Sequence, residues 1–96
     1  MSYAASERLR LYARYAALTA EQEGALEADD LQRFAELATE RDAVRSEVER
    51  LGAPAPSAEG SHILEPALDA ERRIQRRLAD LRNRTAAEIR ELDRRD

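Results

Sequence analysis

Few residues of this 96-residue chain carry side chains that catalysis or metal binding requires. His62 is the only histidine, there is no cysteine, and His62 lies in a segment rich in glycine and serine. A general base or a metal site needs partner groups that converge on it, and no second histidine or cysteine can supply one. We therefore expect no catalytic residue, cofactor or metal, and we expect His62→Ala to retain full function.

A second candidate for chemistry is the acidic group formed by Glu27, Asp29 and Asp30. Calcium loops alternate their oxygen ligands around a central glycine, and this segment does not. A helix junction is the better interpretation. Asp29, with Gln32 three residues later, is predicted to cap the following helix.

The most conspicuous charged cluster consists of four arginines, Arg72, Arg73, Arg76 and Arg77. Arginines four residues apart repel each other on a helix unless acids lie opposite. The cluster either binds an acidic partner or a membrane surface, or pairs within the chain with residues 21–30, which hold five acids and no base. Pairing within the chain is favoured, because arginine-rich helix faces are usually solvated.

The elements that position these residues are predicted to be helices. Ala, Glu, Leu and Arg supply 60 of the 96 residues, a bias typical of coiled coils and long helices. Leu, Ile, Val and Phe total only 18. An isolated monomer therefore buries little apolar area, so we expect marginal stability or help from a partner.

The charge distribution excludes some partners. Residues 1–51 hold 11 acids and 7 arginines, and residues 52–96 hold 9 of each. Without a basic excess, nucleic acid is a poor partner. Arg8, Arg10 and Arg14 interrupt the first twenty residues, so we expect no signal peptide, no membrane insertion and a cytoplasmic location.

The spacing of apolar residues predicts an all-α fold in a single domain, 1–96, built as an antiparallel helical hairpin plus a long third amphipathic helix. The predicted helices span about 4–28, 30–51 and 65–95. Segment 52–62 holds two prolines and two glycines and is predicted to be a linker. Gly52 suits the left-handed position after the second helix, and Pro66 suits the first turn of the third.

Each predicted helix has an apolar stripe at spacings of three and four residues. The first stripe contains Leu11, Tyr15, Leu18 and Leu26. The second contains Leu31, Phe34, Leu37, Val44, Val48 and Leu51, with Arg41 as a polar interruption. The third contains Leu64, Leu68, Ile74, Leu78, Leu81, Ile89 and Leu92, with Glu71 and Thr85 in the remaining heptad positions.

The third helix is predicted to be longer than the hairpin by two or three turns. Ile89 and Leu92 would then lack cover within the chain, as in a helix that binds a groove or a coiled-coil partner.

The stretch ALEADDLQRFAELATERDAVRSEVERLG, residues 25–52, resembles flagellar export chaperones of the FlgN/FliT type. The shared features are an amphipathic helix, a junction of small residues with Asp, and the pattern D-L-x-x-F-x-x-L-x-x-E-R. The long final helix, AERRIQRRLADLRNRTAAEIRELDRR, agrees as well.

This resemblance implies a cytoplasmic chaperone that holds a secreted flagellar structural protein before type III export. It implies a partner-binding surface on the C-terminal amphipathic helix, formed by Ile74, Leu78, Leu81, Ile89 and Leu92. The alternative is a structural or adaptor coiled coil that forms homo-oligomers through the third helix. Small helical chorismate mutases have a similar length, but they use lysine together with arginine around a dicarboxylate, and this chain has no lysine.

Overall fold

The computed structural model describes residues 3–52 and 57–95, and within those ranges the chain is all-α, with no strand. Helix α1 spans Tyr3–Glu27, α2 spans Leu31–Arg50 and α3 spans Ala58–Arg95. The predicted bounds of the first two helices are confirmed to one residue, and so is the end of the third. Its predicted start is wrong, because α3 begins at Ala58 rather than near residue 65.

The early start of α3 is explained by a cap at Ser57. Its Oγ accepts a hydrogen bond from the Gly60 N–H at 3.1 Å, and its carbonyl oxygen accepts one from the Ser61 N–H at 3.1 Å. Glu59 adds a carboxylate to the positive end of the helix dipole. Residues 58–62 of the predicted linker are therefore helical, and His62 is an exposed residue of α3. Residues 53–56 lie outside the described residues.

Pro66 lies inside α3 rather than in its first turn, which corrects the prediction for this residue. Its ring nitrogen cannot donate to the carbonyl oxygen of His62, a loss that commonly breaks a helix. Two other contacts stabilise the helical turns before Pro66. One is the Ser57 cap, and the other is the close approach of Gly60 to Tyr12, where a Cβ on the glycine would lie 3.2 Å from the ring carbon Cε2.

The turn between α1 and α2 is a Schellman motif with an aspartate in the left-handed position. Asp29 has φ 57°, its N–H donates to the Leu26 carbonyl at 3.1 Å, and the Asp30 N–H donates to the Ala25 carbonyl at 2.9 Å. The cap of α2 is Asp30, which accepts from the Arg33 N–H at 3.1 Å. The predicted cap, Asp29, is wrong by one residue because Asp29 ends α1 instead.

The end of α2 confirms the role predicted for Gly52, which has φ 81° at the position after Leu51, the C-cap of the helix. Arg8 of α1 donates to the carbonyl oxygens of Leu51 and Gly52, at 3.2 and 2.8 Å. These two carbonyls lie at the end of α2, so the guanidinium complements the negative end of its dipole. The contact also joins the first turns of α1 to the last turn of α2, as an antiparallel hairpin requires.

Helix α1 is the centre of the molecule, since both other helices pack against it. The core between α1 and α2 consists of Leu11, Leu18, Ala25, Leu37 and Val44. Half-buried Tyr15, Phe34, Val48 and Leu51 surround this core. Leu31 departs from the predicted stripe, because 62% of it is exposed at the first position of α2.

The contact of α3 with α1 uses small residues. Gly60, Ala67, Ala70 and Ile74 are its buried residues, whereas Leu68 is 50% exposed. Ala67 and Leu68 are adjacent, so their side chains diverge by about 100° around the helix. The predicted stripe was wrong at Leu68 because alanines, which let two helices approach closely, occupy the contact face instead.

Candidate partner-binding surface

The five residues predicted to bind a partner differ in how exposed they are in the structure. Ile74 is 3% exposed and belongs to the interior between α1 and α3, so it is not part of an accessible surface. Leu78 and Leu81 are half-buried. Ile89 and Leu92 are 54% and 61% exposed. The candidate surface is therefore the later part of the predicted set.

The change from buried to exposed coincides with the end of α1. A small pocket there is lined by Leu26 and Glu27 of α1, and by α3 residues as far as Asp80. Among residues 81–95, only Leu81 and Ala86 are half-buried, and the others are exposed. We call residues 81–95 the uncovered segment, which is about 22 Å long at 1.5 Å per residue.

The uncovered segment continues the face of α3 that packs against α1. At 3.6 residues per turn, Leu92 lies five full turns after Ile74, so the two side chains point in the same direction from the helix. Leu81 lies between them, within about 20° of the same line. The face that α1 covers at Ile74 therefore extends past the end of α1, where no described residue covers it.

A polar network joins all three helices at the middle of the molecule. Arg41 donates through Nη1 to Gln22 Oε1 at 2.6 Å, and through Nη2 to the Tyr15 hydroxyl at 2.6 Å and to Glu71 Oε1. The Tyr15 hydroxyl in turn donates to Glu71 Oε1 at 2.5 Å. Arg45 donates to the same hydroxyl at 3.0 Å, and this hydrogen bond raises the pKa of its guanidinium.

Sequence reasoning predicted a packed Tyr15 but missed the network around it. It interpreted Arg41 as a polar residue that interrupts the apolar stripe of the second helix. It assigned Glu71 only to a remaining heptad position of the third helix. The available signal was that opposite charges stand at stripe positions of two different helices, where an unpaired charge would be costly. Arg41 also lies over the Tyr15 ring, 4.7 Å from its centre.

Part of the arginine cluster of α3 pairs within the chain. Arg73 pairs with Glu23 through two hydrogen bonds of 2.6 and 3.0 Å, which is the predicted pairing within the chain. These bonds lower the pKa of the Glu23 carboxyl and raise that of Arg73. Arg72 bonds to Asp69 at 2.9 Å. Arg76, in contrast, makes no ion pair or hydrogen bond with any residue in the described ranges.

Comparison with protein-family models, with curated proteins and with solved structures finds no match. In the part of the chain that the structure describes, no group of three or more His, Asp or Glu residues could hold a metal ion. Nor does any described helix contain an apolar stretch of the length and hydropathy that crossing a bilayer requires. Function is therefore inferred from the residues of this chain.

Proposed function

We propose that this protein is a non-catalytic, cytoplasmic export chaperone that holds a protein client on the uncovered segment of α3. The observation that carries the proposal is the apolar face that α1 covers at Ile74 and that continues uncovered to Leu92. The resemblance to FlgN/FliT-type chaperones supports a client that is a secreted flagellar structural protein.

The chemistry of the uncovered segment suits an amphipathic helix from the client. Ile89 and Leu92 provide the exposed apolar side chains, while Glu88 and Arg90 beside them can form polar contacts at the rim. Such an arrangement is typical of helix-in-groove and coiled-coil recognition. Burial of the fractions that are still exposed, 54% of Ile89 and 61% of Leu92, would contribute about 2–3 kcal/mol to the binding free energy.

The experiment compares the wild-type chain with the double variant Ile89→Asp and Leu92→Asp. Binding to purified secreted flagellar structural proteins is measured by titration calorimetry, and helicity by circular dichroism. We expect helicity to be retained and affinity to fall by roughly 30–150-fold, the equivalent of about 2–3 kcal/mol.

Leu31→Asp is the matched control, because Leu31 is as exposed as Leu92 but lies on α2. Binding that survives the double change would place the contact elsewhere on the chain. A collapse of helicity would mean that Ile89 and Leu92 stabilise the fold, which would contradict their role as an exposed binding surface. If Leu31→Asp weakens binding as much as the double variant does, the uncovered segment has no special role in binding.

The second candidate is a structural or adaptor protein that self-associates through α3, and the same uncovered face favours it. Light scattering of the wild-type chain, measured with and without the client, distinguishes the two functions. A chaperone is expected to bind its client as a defined complex. A coiled-coil protein is expected to form oligomers that the double variant abolishes and that no client disrupts.

A further inference from the structure

A cleft separates α2 from α3 along the middle of the molecule. Both helices pack against α1, yet no described Cα atom of α2 lies within 8 Å of one in α3. The cleft has a volume of about 590 Å³ and is open to solvent, and its lining includes Arg41, Arg45, Leu68, Glu71, Arg72 and Arg76. Three helices in this arrangement leave a place for a fourth beside α2 and α3.

The lining of the cleft is cationic although the whole chain has a net charge of −4. Four arginines face one carboxylate, Glu71, and that carboxylate already accepts hydrogen bonds from Arg41 and Tyr15. Arg45, whose side chain is 56% exposed, pairs with Asp42 at 3.8 Å, and Arg72 pairs with Asp69, whereas Arg76 makes no ion pair or hydrogen bond within the described ranges. Asp42 and Asp69 do not line the cleft, so the lining holds more guanidinium groups than carboxylates, and Arg76 has no anionic partner among the described residues.

The spacing of these arginines indicates which kind of anionic partner would complement them. Arg41 and Arg45 are four residues apart on α2, so they stand one helical turn apart on the same face. Arg72 and Arg76 repeat that spacing on α3. Two rows with the pitch of a helix match carboxylates placed one turn apart on the two flanks of a bound helix.

The lining also argues against a purely apolar occupant. Leu68, which is 50% exposed, is the only large apolar side chain of the lining that is open to solvent. A hydrophobic helix would leave the arginines desolvated and unpaired, which is unfavourable. An acidic helix would pair with them and still place one apolar side chain against Leu68.

We propose that the cleft between α2 and α3 binds an acidic amphipathic helix of a protein partner. Carboxylates on the two flanks of that helix pair with Arg45 on one side and Arg76 on the other, and an apolar side chain between them covers Leu68. The site is separate from the uncovered segment, so it stands or falls independently of the chaperone function proposed above.

The probe is an alanine-based helical peptide of about 18 residues, long enough to be helical in water. It carries glutamates four residues apart on both flanks of one leucine, and a control peptide has glutamine at each glutamate. Binding to the full chain is followed by NMR of the arginine Nε–H signals. We expect saturable shifts of the Arg45 and Arg76 signals, a Kd below about 1 mM that rises with salt, and no shift with the glutamine peptide.

Charge variants then locate the site. The double change Arg45→Gln and Arg76→Gln is expected to weaken binding of the glutamate peptide roughly tenfold. The matched control, Arg50→Gln with Arg84→Gln, removes the same charge from one exposed arginine on each of the same helices and is expected to bind as the wild type. If the first variant loses helicity, Arg76→Gln alone replaces it, because Arg76 has no described bond to lose.

Three results would overturn the proposal. Equal weakening by the two double variants would show general charge attraction rather than a site. Equal binding of the glutamine peptide would show that carboxylates are not recognised. A single-stranded oligonucleotide of the same charge that shifts the same arginine signals at lower concentration would show that the cleft reads phosphate instead of an acidic helix.

Discussion

Replacing Glu71 by alanine tests whether the polar network stabilises the contact of α3 with the hairpin. Glu71 Oε1 accepts hydrogen bonds from Tyr15 of α1 and Arg41 of α2. Without this carboxylate, Arg41, whose side chain is only 13% exposed, loses its counter-charge. Its Nε is already buried without a partner, so water can compensate only in part for the lost bond.

The expected loss of stability is about 2 kcal/mol. Hydrogen bonds to charged groups contribute roughly 1.5–3 kcal/mol, and the value here lies toward the lower end because water can replace part of the contact. Glu71 itself is 30% exposed at its side chain. In a domain of this size, a loss of 2 kcal/mol lowers Tm by about 10 °C and removes a large share of the total stability.

Urea unfolding followed by circular dichroism measures this loss, with Glu88→Ala as the control. Glu88 is an exposed glutamate on the same helix, and its replacement is expected to change stability by less than about 0.5 kcal/mol. A second variant, Arg41→Met with Glu71→Leu, should recover much of the loss because it leaves no buried charge unpaired. If Glu71→Ala is no less stable than Glu88→Ala, the network does not stabilise the fold.

Three further changes are expected to alter stability in defined directions. Gly24→Ala should stabilise the protein by about 1 kcal/mol, because Gly24 is an exposed helical position with open space for a Cβ. Asp29→Gly should stabilise it by about 0.5–1 kcal/mol, because glycine adopts the left-handed φ of 57° without strain. Glu23→Gln should lower Tm at neutral pH by removing the ion pair with Arg73, and this difference should vanish in acid.

The acid dependence at Glu23 follows from the direction of its pKa shift. Its pKa lies below the ordinary value of 4.5 in the folded chain, so the stabilisation is present above that value and is lost as the pH falls through the folded pKa. Thermal unfolding from about pH 6 down to pH 2.5 measures this difference. If the Tm difference between Glu23→Gln and the wild type persists in acid, it does not come from the ion pair of Glu23 with Arg73. Gly24→Ala and Asp29→Gly are tested by urea unfolding. A urea midpoint equal to or below that of the wild type would contradict the expected stabilisation.

The sequence determined those features of the fold that depend on neighbours along the chain. Helical periodicity and composition placed α1 and α2 to one residue, and Gly52 ended α2 in the left-handed conformation as predicted. The N-cap of α3 also depends only on neighbours along the chain. It was missed because Ser57 lies in a segment that contains prolines and glycines, a composition that predicts a linker. The Asp29-Asp30 junction was located correctly, although the residue that caps α2 is Asp30 rather than the predicted Asp29.

Only the tertiary structure decided which part of each apolar stripe is covered. Coverage depends on the rotation and the axial offset of one helix against another, and neither follows from periodicity within a helix. That is why Ala67 packs against α1 while its neighbour Leu68 is exposed, and why Ile74 is buried while Leu92, on the same face five turns later, is not. The bonds between Arg41 and Glu71 likewise exist only because α1 holds α2 and α3 at a separation that two long side chains can bridge.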